Sequence, residues 1–165
     1  MDALKVALIS QYRASIQMLR KAIEVCSADL WDSEQYHNRT WHVVYHALYF
    51  TDLYLYQHLE DRKAGPFYRK GYQDLEYPNE KTPYQREEML EYLQYVEDRI
   101  EPAVAALDLA QEDCGFYWYK VNKLEHQLVN LKHLQHHIGQ IQDRIRNHQN
   151  QGIGWIRDGS DDIRK

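Results

Sequence analysis

The sequence predicts an all-α protein built as a four-helix bundle, and three observations lead to this prediction. Only four prolines and seven glycines occur among the 165 residues, and no run of alternating β-branched residues bounded by turn signals suggests a strand. Four segments instead carry apolar residues at spacings of three and four. Because a chain of this length forms about one domain, we expect residues 1–165 to fold as a single four-helix domain.

The first two helices are predicted over residues 3–27 and 38–62. The first carries one apolar stripe, and the Ser, Asp and Asn residues between the two segments are typical helix breakers. The second is apolar over a wider arc, with one face of tryptophan, valine and leucine and an adjacent face that includes His42 and His46. We therefore expect the second helix to lie deep in the bundle.

A long connection, residues 64–81, contains both glycine and proline and precedes the third helix. Its length means that the second and third helices need not be antiparallel neighbours. Thr82 is predicted as the N-cap of the third helix, with Pro83 in the first turn and Gln85 completing a capping box.

The third helix is expected to reach about Ala110, and Pro102 predicts a kink or an early end near Glu101. The fourth helix is predicted over residues 119–149. Its apolar stripe fits a bundle-facing helix and consists of Leu124, Leu128, Leu131, Leu134, Ile138, Ile141 and Ile145.

Charge and cysteine content exclude several classes of function. The 25 acidic residues outnumber the 20 basic ones and give a formal charge of −5, which is the wrong sign for neutralising phosphates, so we expect no nucleic-acid partner. No apolar stretch approaches the ~20 residues that cross a bilayer, and the N-terminus does not resemble a signal peptide, so we expect a cytoplasmic protein with no membrane partner. Cys26 and Cys114 predict reduced, partly buried thiols rather than a disulfide.

Histidine spacing is the strongest functional signal in the sequence. His133 and His137 are four residues apart on the predicted fourth helix, so both imidazoles project from the same side. A third metal ligand has to come from a facing helix, and the second helix offers His46, with His42 one turn before it. A histidine near an apolar face is more often a packed core residue than a ligand, and that interpretation stays open here. His136 is predicted to face solvent.

Three imidazoles would leave at least one coordination position open, as catalytic metal sites do. Nitrogen ligation favours zinc, nickel, iron(II), copper or cobalt over magnesium and calcium. The sequence contains no HExxH motif, which argues against a metalloprotease. A ferritin-like di-iron centre needs Glu-x-x-His on two helices, whereas only Glu34 and His37 match, in a predicted loop. Nothing in the sequence supplies a recognisable haem pocket.

Two segments resemble a known family. The fourth-helix pattern H-x-x-H-H-x-G-Q-I, residues 133–141, resembles the last-helix signature of the DinB/YfiT-like superfamily of metal-dependent enzymes. The segment WHVVYHALYFTDLYL, residues 41–55, resembles the second-helix segment of the same family. The resemblance covers nearly the whole chain and implies a four-helix bundle that is often a homodimer.

The resemblance also implies a metal held by one histidine from the second helix and two from the last. Matched by motif, these are His46, His133 and His137. His42 competes for the second-helix position, because the interval between the tryptophan and the histidine is shorter here than in many members.

The function that the resemblance implies is metal-dependent chemistry on a small molecule. The protein would be a thiol-dependent S-transferase that uses a low-molecular-weight thiol, or a hydrolase, with the metal activating the thiol or a water. The alternative is a non-catalytic dimeric interaction module with a structural or vestigial metal site, whose partner face would include residues 116–119. Residues that could orient a ligand or the substrate are Gln140, Asn130, His126, Tyr49 and Asp52. A cationic lid over the site is a further possibility for Phe67, Tyr68, Arg69, Lys70 and Tyr72.

Overall fold

The computed structural model describes residues 2–76 and 81–159, which contain helices and connections but no strand. The all-α prediction is thereby confirmed. The long helices are α1, Ala3–Val25; α3, Thr40–Leu53; α4, Arg86–Ala106; and α5, Lys123–Gln149. A four-residue helix, α2, covers Ala28–Trp31, and a 3-10 turn covers Leu59–Asp61.

The long helices surround a common core, with α1 and α3 each packing against both α4 and α5. Helix α3 runs antiparallel to α5. At one end of the pair, the Arg144 guanidinium lies 3.4 Å from the Thr40 hydroxyl, and at the other the Gln127 side-chain amide donates to the Tyr54 carbonyl over 2.8 Å.

Helix α1 runs antiparallel to α4. The Lys5 ammonium group donates to the Ala105 carbonyl over 2.7 Å, and near the other end the Arg20 guanidinium donates to the Gln94 side chain over 2.8 Å. These contacts join the start of α1 to the end of α4.

Helices α3 and α4 are parallel neighbours, since Tyr45 packs against Tyr92 and, two turns further along both helices, Asp52 forms an ion pair with Arg99. Parallel neighbours cannot be joined by a tight turn, because the chain has to return along the full length of α3. The long connection predicted before the third helix has this role, and the helix directions in chain order are up, down, down and up.

Helix α3 ends at Leu53, well short of the predicted residue 62. The physical reason is that side chains of α5 donate hydrogen bonds to the backbone carbonyls that follow the end of α3. The Lys123 ammonium group donates to the carbonyls of Tyr56 and Gln57 over 3.1 Å and 2.5 Å, and Gln127 binds the Tyr54 carbonyl. Tertiary hydrogen bonds thus replace the next turn of helix.

Helix α4 begins later than predicted, with Gln85 rather than Thr82 as the N-cap. The Glu88 carboxylate accepts from the Gln85 backbone N–H over 2.7 Å and closes a capping box. Thr82 belongs to the preceding connection, where its carbonyl accepts from the Arg69 guanidinium and the Tyr72 hydroxyl.

Pro102 does not end α4. The helix continues to Ala106 instead of stopping before the proline, although it falls short of the predicted Ala110. Ile100 and Val104, on either side of Pro102, are both fully buried. Their packing offsets the helical hydrogen bond that a proline removes.

Helix α5 begins at Lys123 rather than at residue 119, because the Asn122 side chain caps it by accepting from the Glu125 backbone N–H over 2.8 Å. The predicted apolar stripe is largely buried, although Leu128 is 54% exposed.

The core that the helices enclose is rich in aromatic side chains. Tyr12, Tyr45, Tyr84 and Phe116 are among its largest fully buried members. Both cysteines are buried and unpaired. None of the helices in the described ranges combines the length and the apolar character that crossing a membrane requires.

Candidate metal centre

Two histidines of α5 form the base of the site. His133 and His137 lie one turn apart, and their Nε2 atoms approach each other to 3.1 Å. His137 is buried and His133 half-buried, whereas His136 between them is exposed, as its position in the helical repeat predicts.

Helix α3 brings a third imidazole to the same point. The Nε2 atom of His46 lies 3.0 Å from the Nε2 atom of His133, and the three ligand atoms all lie within 4.8 Å of one another. The antiparallel packing of α3 against α5 places the middle of one helix opposite the middle of the other, so this group could hold a metal ion.

Hydrogen bonds at the far side of two rings fix their orientation and protonation. His46 Nδ1 donates to the Gln73 carbonyl over 2.6 Å, and His137 Nδ1 donates to the Gln140 side-chain oxygen over 2.7 Å. A proton on Nδ1 leaves Nε2 with a free lone pair in a neutral imidazole. The lone pairs of His46 and His137 therefore face the third histidine, in the tautomer that binds metals.

The surroundings keep all three rings neutral near pH 7. Burial lowers the pKa of His46 and His137 to about 4, and that of His133 to about 3. For His133 and His137 the next cause is repulsion from a neighbouring imidazolium of the cluster, whereas for His46 the hydrogen bond to the Gln73 carbonyl partly opposes the effect of burial. Neutral imidazole is the form that coordinates a metal.

The donor set fits a transition metal. Three nitrogen donors at about 2.0–2.1 Å from one tetrahedral ion stand roughly 3.3 Å apart, close to the 3.0 Å and 3.1 Å found between His133 and its two neighbours. Such close lone pairs repel one another unless a proton or a cation lies between them. The cluster could therefore hold a cation through three protein ligands.

His42, the competing histidine of α3, lies outside this cluster. Its Nε2 atom donates to the Tyr72 carbonyl over 2.7 Å, and its ring stacks on Trp41 at a centroid distance of 5.1 Å. Burial lowers the pKa of His42 to about 4, so it too is neutral. Its role in the structure is to bind the connection between α3 and α4.

Gln140 is the one of the five predicted orienting residues that hydrogen-bonds a cluster histidine. Asn130 donates to the Thr51 carbonyl, and Asp52 pairs with Arg99. The other two, His126 and Tyr49, pack against aromatic rings.

Two neighbours of the cluster were missed by the sequence analysis. The Gln73 carbonyl holds His46, and the Phe50 ring lies 4.7 Å from the His46 ring and 5.4 Å from the His133 ring. A contact made by a backbone carbonyl does not depend on the residue type, so the sequence could indicate the role of Gln73 only through the unusual length of the connection that contains it. Phe50 follows His46 by four residues, so helical spacing could have found it.

The predicted cationic lid is arranged differently from the expectation. Arg69 lies over the Tyr84 ring at 3.7 Å and pairs with Glu88 at 3.0 Å, so its charge is already neutralised by a carboxylate. Phe67 stacks on Tyr92. The connection does pack on α3, since it accepts hydrogen bonds from both His42 and His46 through consecutive carbonyls.

A cleft of about 480 Å³ opens beside the cluster. Phe50 and Gln73, which contact the histidines, also line it. The remaining walls are mostly aromatic, with one cation, and include Tyr49, Tyr54, Arg62, Trp118 and Tyr119.

Comparison with known proteins gives one match. Residues 11–141 match the family model described as the DinB superfamily, a range that contains all three clustered histidines. Neither the curated proteins nor the solved structures include a match. Since the family model covers most of the sequence, the chain belongs to the DinB superfamily.

Proposed function

We propose that His46, His133 and His137 bind one divalent transition metal, such as zinc, nickel or iron, and that the protein is a metal-dependent enzyme acting on a small molecule. The observation that supports this proposal is the convergence of three neutral imidazoles, two of them oriented by hydrogen bonds at Nδ1. Membership of the DinB superfamily is compatible with it.

The reaction that we propose is an S-transfer that uses a low-molecular-weight thiol, or a hydrolysis. A metal held by three histidines keeps an open position and lowers the pKa of a thiol or a water towards neutral pH. The protein's own groups have supporting roles. The Gln73 carbonyl and the Gln140 side-chain oxygen accept the Nδ1 protons of His46 and His137, and the Phe50 ring packs against His46 and His133.

Metal analysis of untagged protein tests the proposal. We expect about one equivalent of a transition metal in the wild type, and its loss in His133→Ala and in His137→Ala, because two imidazoles alone hold a metal weakly. His136→Ala is the matched control, since His136 is exposed on the same helix and should leave the metal content unchanged. Circular dichroism checks that each variant is folded.

A fully folded wild type that takes up no metal under any supplementation would contradict the proposal. That result would favour the alternative, a non-catalytic dimeric interaction module. One observation supports the alternative, since Tyr117 is 77% and Trp118 is 40% exposed, although their neighbour Phe116 is buried. We propose a homodimer in either case, to be checked by light scattering.

A further inference from the structure

The cleft lies beside the histidines but is not lined by them; Phe50 and Gln73 lie between. The Phe50 ring forms part of the wall between the cleft and the histidines. It contacts the His46 ring and also the ring of Tyr54, which lines the cleft, at a centroid distance of 5.5 Å. A volume of about 480 Å³ lies within the range of about 300–1,000 Å³ that is typical of small-molecule sites.

Arg62 places a positive charge in this cleft. Its guanidinium carbon lies 4.8 Å and 4.9 Å from the ring centroids of Tyr49 and Tyr68, and the two rings stack on each other. The Arg62 backbone N–H donates to the Leu59 carbonyl, which ties the residue to the 3-10 turn. Both the backbone and the side chain, which lies over the two rings, are therefore held in position.

No carboxylate in residues 2–76 and 81–159 forms an ion pair with Arg62, in contrast to the arginines nearby. Arg69 pairs with Glu88, and Arg99 pairs with Asp52. A guanidinium carries five N–H donors. The Tyr49 hydroxyl engages Arg62, and a carboxylate can accept two of the donors that remain. An unpaired arginine in a cleft of an acidic protein is thus a binding group for an anion.

We propose that the cleft binds a small organic carboxylate with an apolar or aromatic body, in which Arg62 takes the carboxylate and the rings of Phe50, Tyr54 and Trp118 take the body. Arg62 then determines specificity. The identification of this molecule as the substrate rests on the proposed function, because it assumes that the histidine cluster performs the reaction.

The test compares phenylacetate with the neutral phenylacetamide, which has the same shape. Binding is followed by NMR through the indole N–H of Trp118, which donates to the Tyr54 hydroxyl over 3.3 Å and is assigned with Trp118→Phe. The protein is treated with a chelator, so that a carboxylate cannot bind through a metal. We expect the wild type to bind phenylacetate at least about tenfold more tightly than the amide.

The variant Arg62→Met should abolish this preference and leave the affinity for phenylacetamide nearly unchanged. Lys63→Met is the matched control, because it removes the same charge from the exposed neighbouring position and should keep the preference. Arg62→Gln is measured in the same way and decides the matter if Arg62→Met does not fold.

Equal affinities in the wild type, or a preference that survives without Arg62, would overturn the proposal. The same titration on His133→Ala separates it from the proposed function. If that variant and the wild type share the preference, and the separate metal analysis finds no metal uptake by the untreated wild type, the carboxylate site stands and the metal-dependent enzyme does not.

Discussion

His126 is fully buried on α5, yet neither of its ring nitrogens has a hydrogen-bond partner in the described part of the chain. The rings of Tyr54, Phe116 and Tyr119 surround it at centroid distances of 4.6 Å, 4.7 Å and 5.1 Å. Burial lowers its pKa to about 4, and the nearby Lys123 charge acts in the same direction. A buried polar group without a partner costs about 1–3 kcal/mol, so this residue opposes folding.

We predict that His126→Phe raises the free energy of unfolding by about 1 kcal/mol at pH 7.5. At pH 5.5 the increase in the free energy of unfolding should be larger than at pH 7.5 by roughly 1 kcal/mol. The histidine has a pKa of about 4 when folded and about 6.5 when unfolded, so the unfolded state binds more protons in that interval. The wild type therefore loses stability as the pH falls from about 6.5 to 4, and the variant lacks this loss.

Urea unfolding of both proteins at the two pH values measures the effect. His136→Phe makes the same change at an exposed position and should alter neither value appreciably. Clear destabilisation by His126→Phe at both pH values would show that the imidazole is satisfied by a group other than the described residues, or that the larger ring does not fit.

The choice between His42 and His46 shows what spacing can decide about the candidate site. The pair on α5 is visible as two histidines four residues apart, and this separation directly predicts a shared face. On α3, the two histidines also share a face, so periodicity treats them alike. The path of the connection distinguishes them. The Tyr72 carbonyl accepts a hydrogen bond from His42 Nε2, whereas the Gln73 carbonyl accepts one from His46 Nδ1 and leaves His46 Nε2 facing the other two histidines. Only a folded structure reveals that path.

At the scale of the helices, sequence patterns predicted the number and order of the long elements but placed several ends wrongly. Apolar residues continue at helical spacing beyond Leu53, with Leu55 and Leu59, which is why a longer second helix was predicted. The helix stops because Lys123 and Gln127 bind carbonyls that another turn of α3 would have used. Such contacts join residues far apart in sequence and are therefore invisible to local periodicity.

The N-terminus of α5 allows this interpretation of helix ends to be tested. Asn122→Ala removes the side-chain acceptor of the Glu125 backbone N–H, and we expect it to lower the free energy of unfolding by about 1 kcal/mol. Asn147→Ala, inside the same helix and exposed, is the matched control and should change stability little or slightly increase it. Urea unfolding gives both values, and equal effects would contradict the assignment of Asn122 as the cap.

At the scale of the whole molecule, the helix directions and the site depend on the same connection. Because α3 and α4 are parallel neighbours, the chain between them has to travel back along α3. On this path it places the Gln73 carbonyl against His46 and the ring of Tyr68 against Tyr49. The connection between α3 and α4 thus orients His46 and also supplies Tyr68, one of the two rings against which Arg62 lies.

The cluster links two helices, so a bound metal should stabilise the entire fold. Binding to the native state alone adds about 2.7 kcal/mol when the free metal is at 100 times its dissociation constant. For a chain of this size, that corresponds to a rise in Tm of roughly 5–10 °C. We expect zinc or cobalt(II) to produce this rise in the wild type and in His136→Ala, and a chelator to reverse it. His133→Ala should show no rise in Tm, because only His46 on α3 and His137 on α5 then remain as ligands. Differential scanning calorimetry measures the shift, and an equal rise in His133→Ala would place the metal elsewhere on the protein.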